Sequence, residues 1–128
     1  MSSLPHRFTI TVDGKHIAKP EQKNEEMFQA ESGNEPAVFE IKDDRLVCGE
    51  WTLGRWVVEN KSYLAKPVMW RKNEEASQEL QPVEVKVGAT GPEITFGNSP
   101  GMAIDQGGKL VAPHQQDECQ TVEIRAED

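Results

Sequence analysis

The chain is short of most residues from which function is usually read. Only two cysteines, Cys48 and Cys119, occur in 128 residues. Two are too few for a disulfide scaffold, and no CxxC or HxxxH spacing offers a zinc site. No metal or cofactor is expected. Basic residues are scarce as well: 14 Lys and Arg face 22 Asp and Glu, for a net charge of −8. Phosphate contacts need clustered cations, so nucleic acid is not an expected partner. Neither is a membrane: an anionic lipid surface would repel this chain, and no apolar run nears the roughly 18 residues of a span. The start, "MSSLPHRFTI", lacks the basic and apolar regions of a signal peptide. Localisation therefore stays open: cytoplasmic if Met1 is native, secreted or wall-bound if the chain is a mature form with an added Met.

Catalytic signatures are missing too. There is no GxSxG elbow and no EF-hand loop. None of His6, His16 and His114 lies in a nucleophile motif. His16 and His114 could share a metal only if the first and last hairpins were neighbours, and histidines in turns are ordinarily surface residues. The paired carboxylates Glu25–Glu26, Asp43–Asp44 and Glu74–Glu75 are adjacent in sequence. Adjacent strand residues point to opposite faces, so the pairs do not read as an acid/base couple across a cleft.

What is present is a period of two. "RFTITV" sets Phe8, Ile10 and Val12 against Arg7, Thr9 and Thr11. "AVFEIK" puts Phe39 and Ile41 on one face, "PVEVKV" does so with Val83, Val85 and Val87, and "TVEIRA" with Val122 and Ile124. Each reads as a strand with one buried and one solvated face. Turn signals separate them: "VDGK", "KDDR", "ESGNEP", "GATGP", "GNSPG" and "DQGGK". "RKNEEASQEL" (residues 71–80) reads as a polar loop or short helix with almost no apolar face, "KPEQKNEE" as a polar loop, and residues 1–6 as a flexible start. One domain over residues 1–128 fits this length.

Three stretches share an order: "FTITVDGKHIAKPEQ", "VFEIKDDRLVCGEWT" and "GMAIDQGGKLVAPHQ". Each has an Ile, an acidic turn, a basic residue and an apolar strand, with Asp13/Lys15, Asp43/Arg45 and Asp105/Lys109 in matching places. The expected class is all-β and antiparallel: β-trefoil-like, or a small barrel or sandwich.

The candidate ligand-binding residues are aromatic. Trp51, Trp56, Tyr63 and Trp70 fall in one stretch, with Arg55 and Arg71 beside two of them. Aromatic faces with polar neighbours hold sugar rings and make protein hot spots, whereas tryptophans also fill the cores of small β domains. Core is the favoured reading for most of them. If one of them is exposed, it is expected to be Trp51, between Glu50 and Thr52 at a Gly-rich corner. A Cys48–Cys119 bridge would stabilise by roughly 4–5 kcal/mol in the chain-entropy model, and the alternative is two thiols in a reducing compartment. Asn60 in "NKS" fits N-glycosylation of a secreted chain.

Three segments resemble a family of small fungal secreted cell-wall proteins, linked to phialide development and in part known as IgE-binding. These are "RFTITVDGKHIAKP", "VFEIKDDRLV", and "GGKLVAP" followed by "ECQTVEIRAED". The chain is shorter than those proteins and has fewer cysteines and no signal peptide. The resemblance implies a secreted, wall-associated protein and carries over no catalytic residue. The expected function is a non-catalytic binding or structural protein whose partner is a glycan or a protein. Two alternatives are a small β-barrel enzyme of isomerase or cyclase type, shaping a hydrophobic substrate, and a trefoil protease inhibitor presenting the loop "GNSPGM". Oligomeric state is not readable.

Overall fold

The computed structural model describes residues 6–20, 27–56, 65–88, 91–96, 100–113 and 115–127. Most of the expected flexible start lies outside these residues, as do Asn60, Tyr63 and His114. In order the strands are β1 (Phe8–Val12), β2 (Lys15–His16), β3 (Met27–Gln29), β4 (Glu40–Lys42), β5 (Arg45–Cys48), β6 (Trp51–Gly54), β7 (Lys66–Pro67), β8 (Met69–Lys72), β9 (Val83–Gly88), β10 (Gly91–Phe96), β11 (Ala103–Ile104), β12 (Leu110–Ala112) and β13 (Val122–Ala126). A helix, α1 (Asn73–Glu79), follows β8, and a 3-10 turn spans Gln116–Glu118. The fold is all-β and antiparallel, as the alternation implies, in sheets ordered β13-β1-β2, β10-β9, β11-β12-β7 and β3-β8-β6-β5-β4.

Further backbone contacts join these sheets into a circuit. β1 pairs with β13 along its whole length, from Phe8↔Ala126 to Val12↔Val122. Phe8 and Phe39 exchange hydrogen bonds of 3.0 and 2.7 Å, tying β1 to the entrance of β4. β4 and β5 form a hairpin. The Val83 amide donates to the Asp44 carbonyl at 2.9 Å, bringing β9 to that hairpin. β9 and β10 pair next, and β10 lies against β13. At one end of this circuit three backbone amides form a ring: Ala30 donates to Val68 (2.9 Å), Val68 to Leu110 (3.1 Å) and Leu110 to Ala30 (2.8 Å). All three residues are fully buried.

Local chemistry explains the turns. Asp13 and Gly14 both have positive φ (53° and 75°), the two-residue hairpin expected of Asp-Gly. Asp43 and Asp44 do the same (52° and 63°) without a glycine, which Asp tolerates better than most residues. In the last turn the Asp105 carboxylate accepts from the Gly107 and Lys109 amides at 2.9 and 3.0 Å.

The core runs through Phe8, Ile10, Phe39, Leu46, Leu53, Trp70, Phe96 and Leu110. Phe39 stacks on Trp70, with ring centroids 5.8 Å apart and planes 5° from parallel. Two expectations need correction. Thr9 and Thr11 are buried rather than solvated, because β1 sits inside the circuit between β13 and β2. Val85 is 44% exposed although it shares a face with buried Val83 and pairs with buried Ile94, so burial on this face is carried by β10 more than by β9 at that position.

Residues 73–79 of the polar 71–80 stretch are helical. Among the described side chains of the helix only Ala76 is buried, with Leu80 buried at its end, so apolar area alone does not hold it. Two strand arginines do. Arg45 donates from Nη1 to the carbonyls of Ala76 (3.1 Å), which also accepts the Leu80 amide, and of Leu80 (2.7 Å), at the negative end of the helix. Arg71, only 8% exposed, forms a two-point pair with Glu79 at 2.7 and 3.2 Å. Gly54 lets the chain after the helix come close: a Cβ there would meet the Gln81 carbonyl oxygen at 3.1 Å.

Candidate functional site

The β5–β6 hairpin closes through Gly49 and Glu50, with Cys48 opposite Trp51. Gly49 takes φ +61° and Glu50 stays negative, as in a turn of type II′. Asn73 pins this turn from the start of α1. Its amide donates to the Glu50 carbonyl (2.9 Å), its Nδ2 to the Gly49 carbonyl (3.0 Å), and its Oδ1 accepts from the Thr52 hydroxyl (2.7 Å). The corner is therefore held on two sides, a rigid base for a binding surface.

Beside the turn lies a groove of about 510 Å³, open to solvent. Trp51, Cys48 and Pro20 give it apolar walls, while Lys19, Glu35 and Glu50 supply charge. A second depression of about 380 Å³ lies across Glu50, lined also by Lys72, Asn73, Glu74 and Glu75. Glu50 is common to both, and Trp51 lines the first. Phe28 meets Trp51 edge-on at 5.1 Å between centroids, and the Lys72 ammonium covers its ring at 4.5 Å from the centroid. The same ammonium reaches Glu50 at 3.3 Å.

Trp51 is 4% exposed. The expectation of a surface aromatic is corrected in form: the indole borders a groove, and part of its cover is a flexible lysine. Trp70 is buried in the stack with Phe39 and lines neither depression. Trp56 bridges to Leu80, and its carbonyl accepts from Gln81 Nε2 at 2.8 Å. Arg55 donates to the Phe96 carbonyl at 3.1 Å. Both lie beyond the far end of β6 from Trp51 and tie strands together. Of the proposed aromatic cluster, the fold thus leaves Trp51 alone beside a groove, while Tyr63 and Asn60 lie outside the described residues. So do three residues of "GNSPGM".

The cysteines are free thiols. The bridge is not formed, because the fold gives the two sulfurs different neighbours. Cys48 lines the groove. Cys119 packs against Gly101, where a Cβ would meet its sulfur at 3.1 Å, and its thiol donates to the Gln115 carbonyl at 3.6 Å. Burial pushes the Cys48 thiol up, offset in part by a backbone hydrogen bond at Val38 and by the charge of Lys19. Burial also raises Cys119, helped by Glu118 and Asp117. A raised thiol is a poor nucleophile, so Cys48 serves the groove as a neutral, weakly polar wall.

Sequence reasoning missed Lys19 and Glu35 as groove residues and Lys72 as the cover of the indole. The first two come from loops distant in sequence from the hairpin. Lys72 was legible only as the cross-strand partner of Trp51, a pairing that needs the β6–β8 register. Among the described residues, no group of three or more His, Cys, Asp and Glu gathers as a metal site. Compared with known proteins, the chain matches no family model, no curated protein and no solved structure.

Proposed function

We propose that this chain is a β-trefoil, non-catalytic binding protein that holds a glycan in the groove beside Trp51. Within the all-β class, the trefoil reading is supported by the six-strand circuit and by the ring through Ala30, Val68 and Leu110, since three similar units must meet around one axis. The observation that carries the glycan reading is the make-up of the groove. An indole, a proline and a neutral thiol stand beside one lysine and two carboxylates. A sugar ring presents both an apolar C–H face and hydroxyls, and it matches such a wall. An enzyme that shapes a hydrophobic substrate needs an enclosed apolar pocket instead, and this groove is open and rimmed by charge. The resemblance to fungal cell-wall proteins adds a wall-associated, extracellular setting to the proposal.

The test is a glycan array followed by titration of the hits against intrinsic tryptophan fluorescence. The expected result is a saturable change in emission that weakens in Trp51→Phe and Glu35→Gln, both checked for unchanged thermal unfolding. Capture of a protein partner by a chain that binds no glycan would replace this reading with the protein-ligand one.

A further inference from the structure

We infer that the glycan is cationic: an amino sugar carrying a free ammonium, rather than an N-acetylated or acidic sugar. This rests on the glycan reading above and names its ligand class. The indole of Trp51 already holds an ammonium. Lys72 Nζ sits 4.5 Å from the ring centroid and 3.3 Å from Glu50 Oε2. An aromatic face with a carboxylate beside it is the arrangement that attracts a cation. Here the chain fills it with its own side chain. Lys72 is a replaceable occupant: its side chain is 38% exposed, at the end of β8, and can turn into water. Doing so uncovers the indole face and releases Glu50.

Charge along the two depressions points the same way. Glu50 borders both, Glu35 lies in one, and Glu74 and Glu75 lie in the other. Against these four carboxylates the described lining residues offer Lys19 and Lys72. With Lys72 turned away, a sulfated or uronic sugar meets excess like charge. An acetamide leaves Glu50 without a cation. An amino sugar lays its ring on the indole and its ammonium against Glu50. The net charge of −8 favours the approach of such a cation.

Three β-1,4-linked tetrasaccharides that differ only at C2 (amine, acetamide or hydroxyl) separate the ideas. They are titrated into the intact chain by calorimetry at about pH 5.5, where amines are protonated and ordinary carboxylates ionised. The amine compound is expected to bind about tenfold more tightly than the other two at low salt, with the advantage shrinking at about 0.5 M salt as charges are screened. Lys72→Ala should tighten the amine compound more than the hydroxyl one. Glu50→Gln should remove most of the advantage, and Glu118→Gln, which changes an exposed carboxylate at the end of the 3-10 turn, should leave it intact. Equal affinity for the three compounds, or preference for the acetamide, overturns the cationic inference and leaves the groove reading standing. An amine advantage equally reduced by Glu118→Gln overturns it as general surface attraction. Failure of all three compounds together with the wider array overturns both.

Discussion

Glu79→Ala tests whether arginines, rather than apolar area, hold α1 to the sheet. The Arg71 side chain is 10% exposed and that of Glu79 40%, with the guanidinium Nε 2.7 Å from the carboxylate. Hydrogen bonds to charged groups contribute about 1.5–3 kcal/mol each. Breaking a fully buried ion pair costs about 3–5 kcal/mol, because one charge stays behind without its partner. Here water reaches the carboxylate and can replace part of it. That places Glu79→Ala near 2 kcal/mol of destabilisation, below the buried limit. Urea unfolding followed by tryptophan fluorescence reads it directly, since Trp51 and Trp70 are buried. With an m-value of about 1–3 kcal/mol/M, the midpoint should fall by roughly 0.7–2 M at unchanged m. Glu74→Ala, on the exposed side of the same helix, should stay within about 0.5 kcal/mol. The double mutant with Arg71→Met should be far less destabilised than the sum of the singles, a coupling of at least about 1 kcal/mol. A Glu79→Ala shift no larger than that of Glu74→Ala, or coupling near zero, would refute the argument. Apolar contacts through Ala76 and Leu80 would then carry the helix.

Other expectations follow from the turns, the close contacts and the thiols. Asp44→Gly should stabilise by about 0.5 kcal/mol, since φ 63° strains an L-residue and glycine's greater unfolded freedom offsets only part of the relief. Calorimetry should show a slightly higher Tm, and a lower one would contradict the assigned turn. Gly54→Ala should cost about 1–3 kcal/mol, because the new Cβ meets the Gln81 carbonyl oxygen and Leu80 Cβ at 3.1 and 3.4 Å. A neutral result in urea titration would mean the 80–81 segment gives way freely. Burial raises the folded-state pKa of the Cys48 thiol above its ordinary value. The folded chain therefore holds that proton more tightly than the unfolded one, so this contribution is complete below the unfolded pKa and is lost as pH rises through the folded one. Stability should decline on the alkaline side, and Cys48→Ala should flatten that decline. Without reductant, both thiols should titrate once the chain is unfolded, whereas the folded chain should alkylate slowly near neutral pH. No thiol equivalents in the unfolded chain would argue for a bridge.

Much of the fold was legible because strands and turns are local. Alternation in "AVFEIK" and "TVEIRA" located β4 and β13, and Asp13–Gly14 announced its hairpin. The failures share a cause. Thr9 and Thr11 read as a wet face because a strand's own sequence does not state how many neighbours it has. Trp51 read as exposed because its polar neighbours in sequence are not its neighbours in space: Phe28 and Lys72 are. The helix at 73–79 lacks an apolar face, and its anchors lie on other strands.

By itself, then, the sequence determined an acidic, antiparallel β protein with tryptophans largely in its core and no recognisable catalytic motif. These properties depend on composition, on a period of two and on turn chemistry, all of which act over a few residues. Tertiary structure alone decided which strands close the circuit and that the two cysteines stay apart. It also decided that Lys19, Glu35 and Lys72 meet at Trp51. Such long-range contacts depend on strand register and on the packing of distant segments, and a groove is built from those.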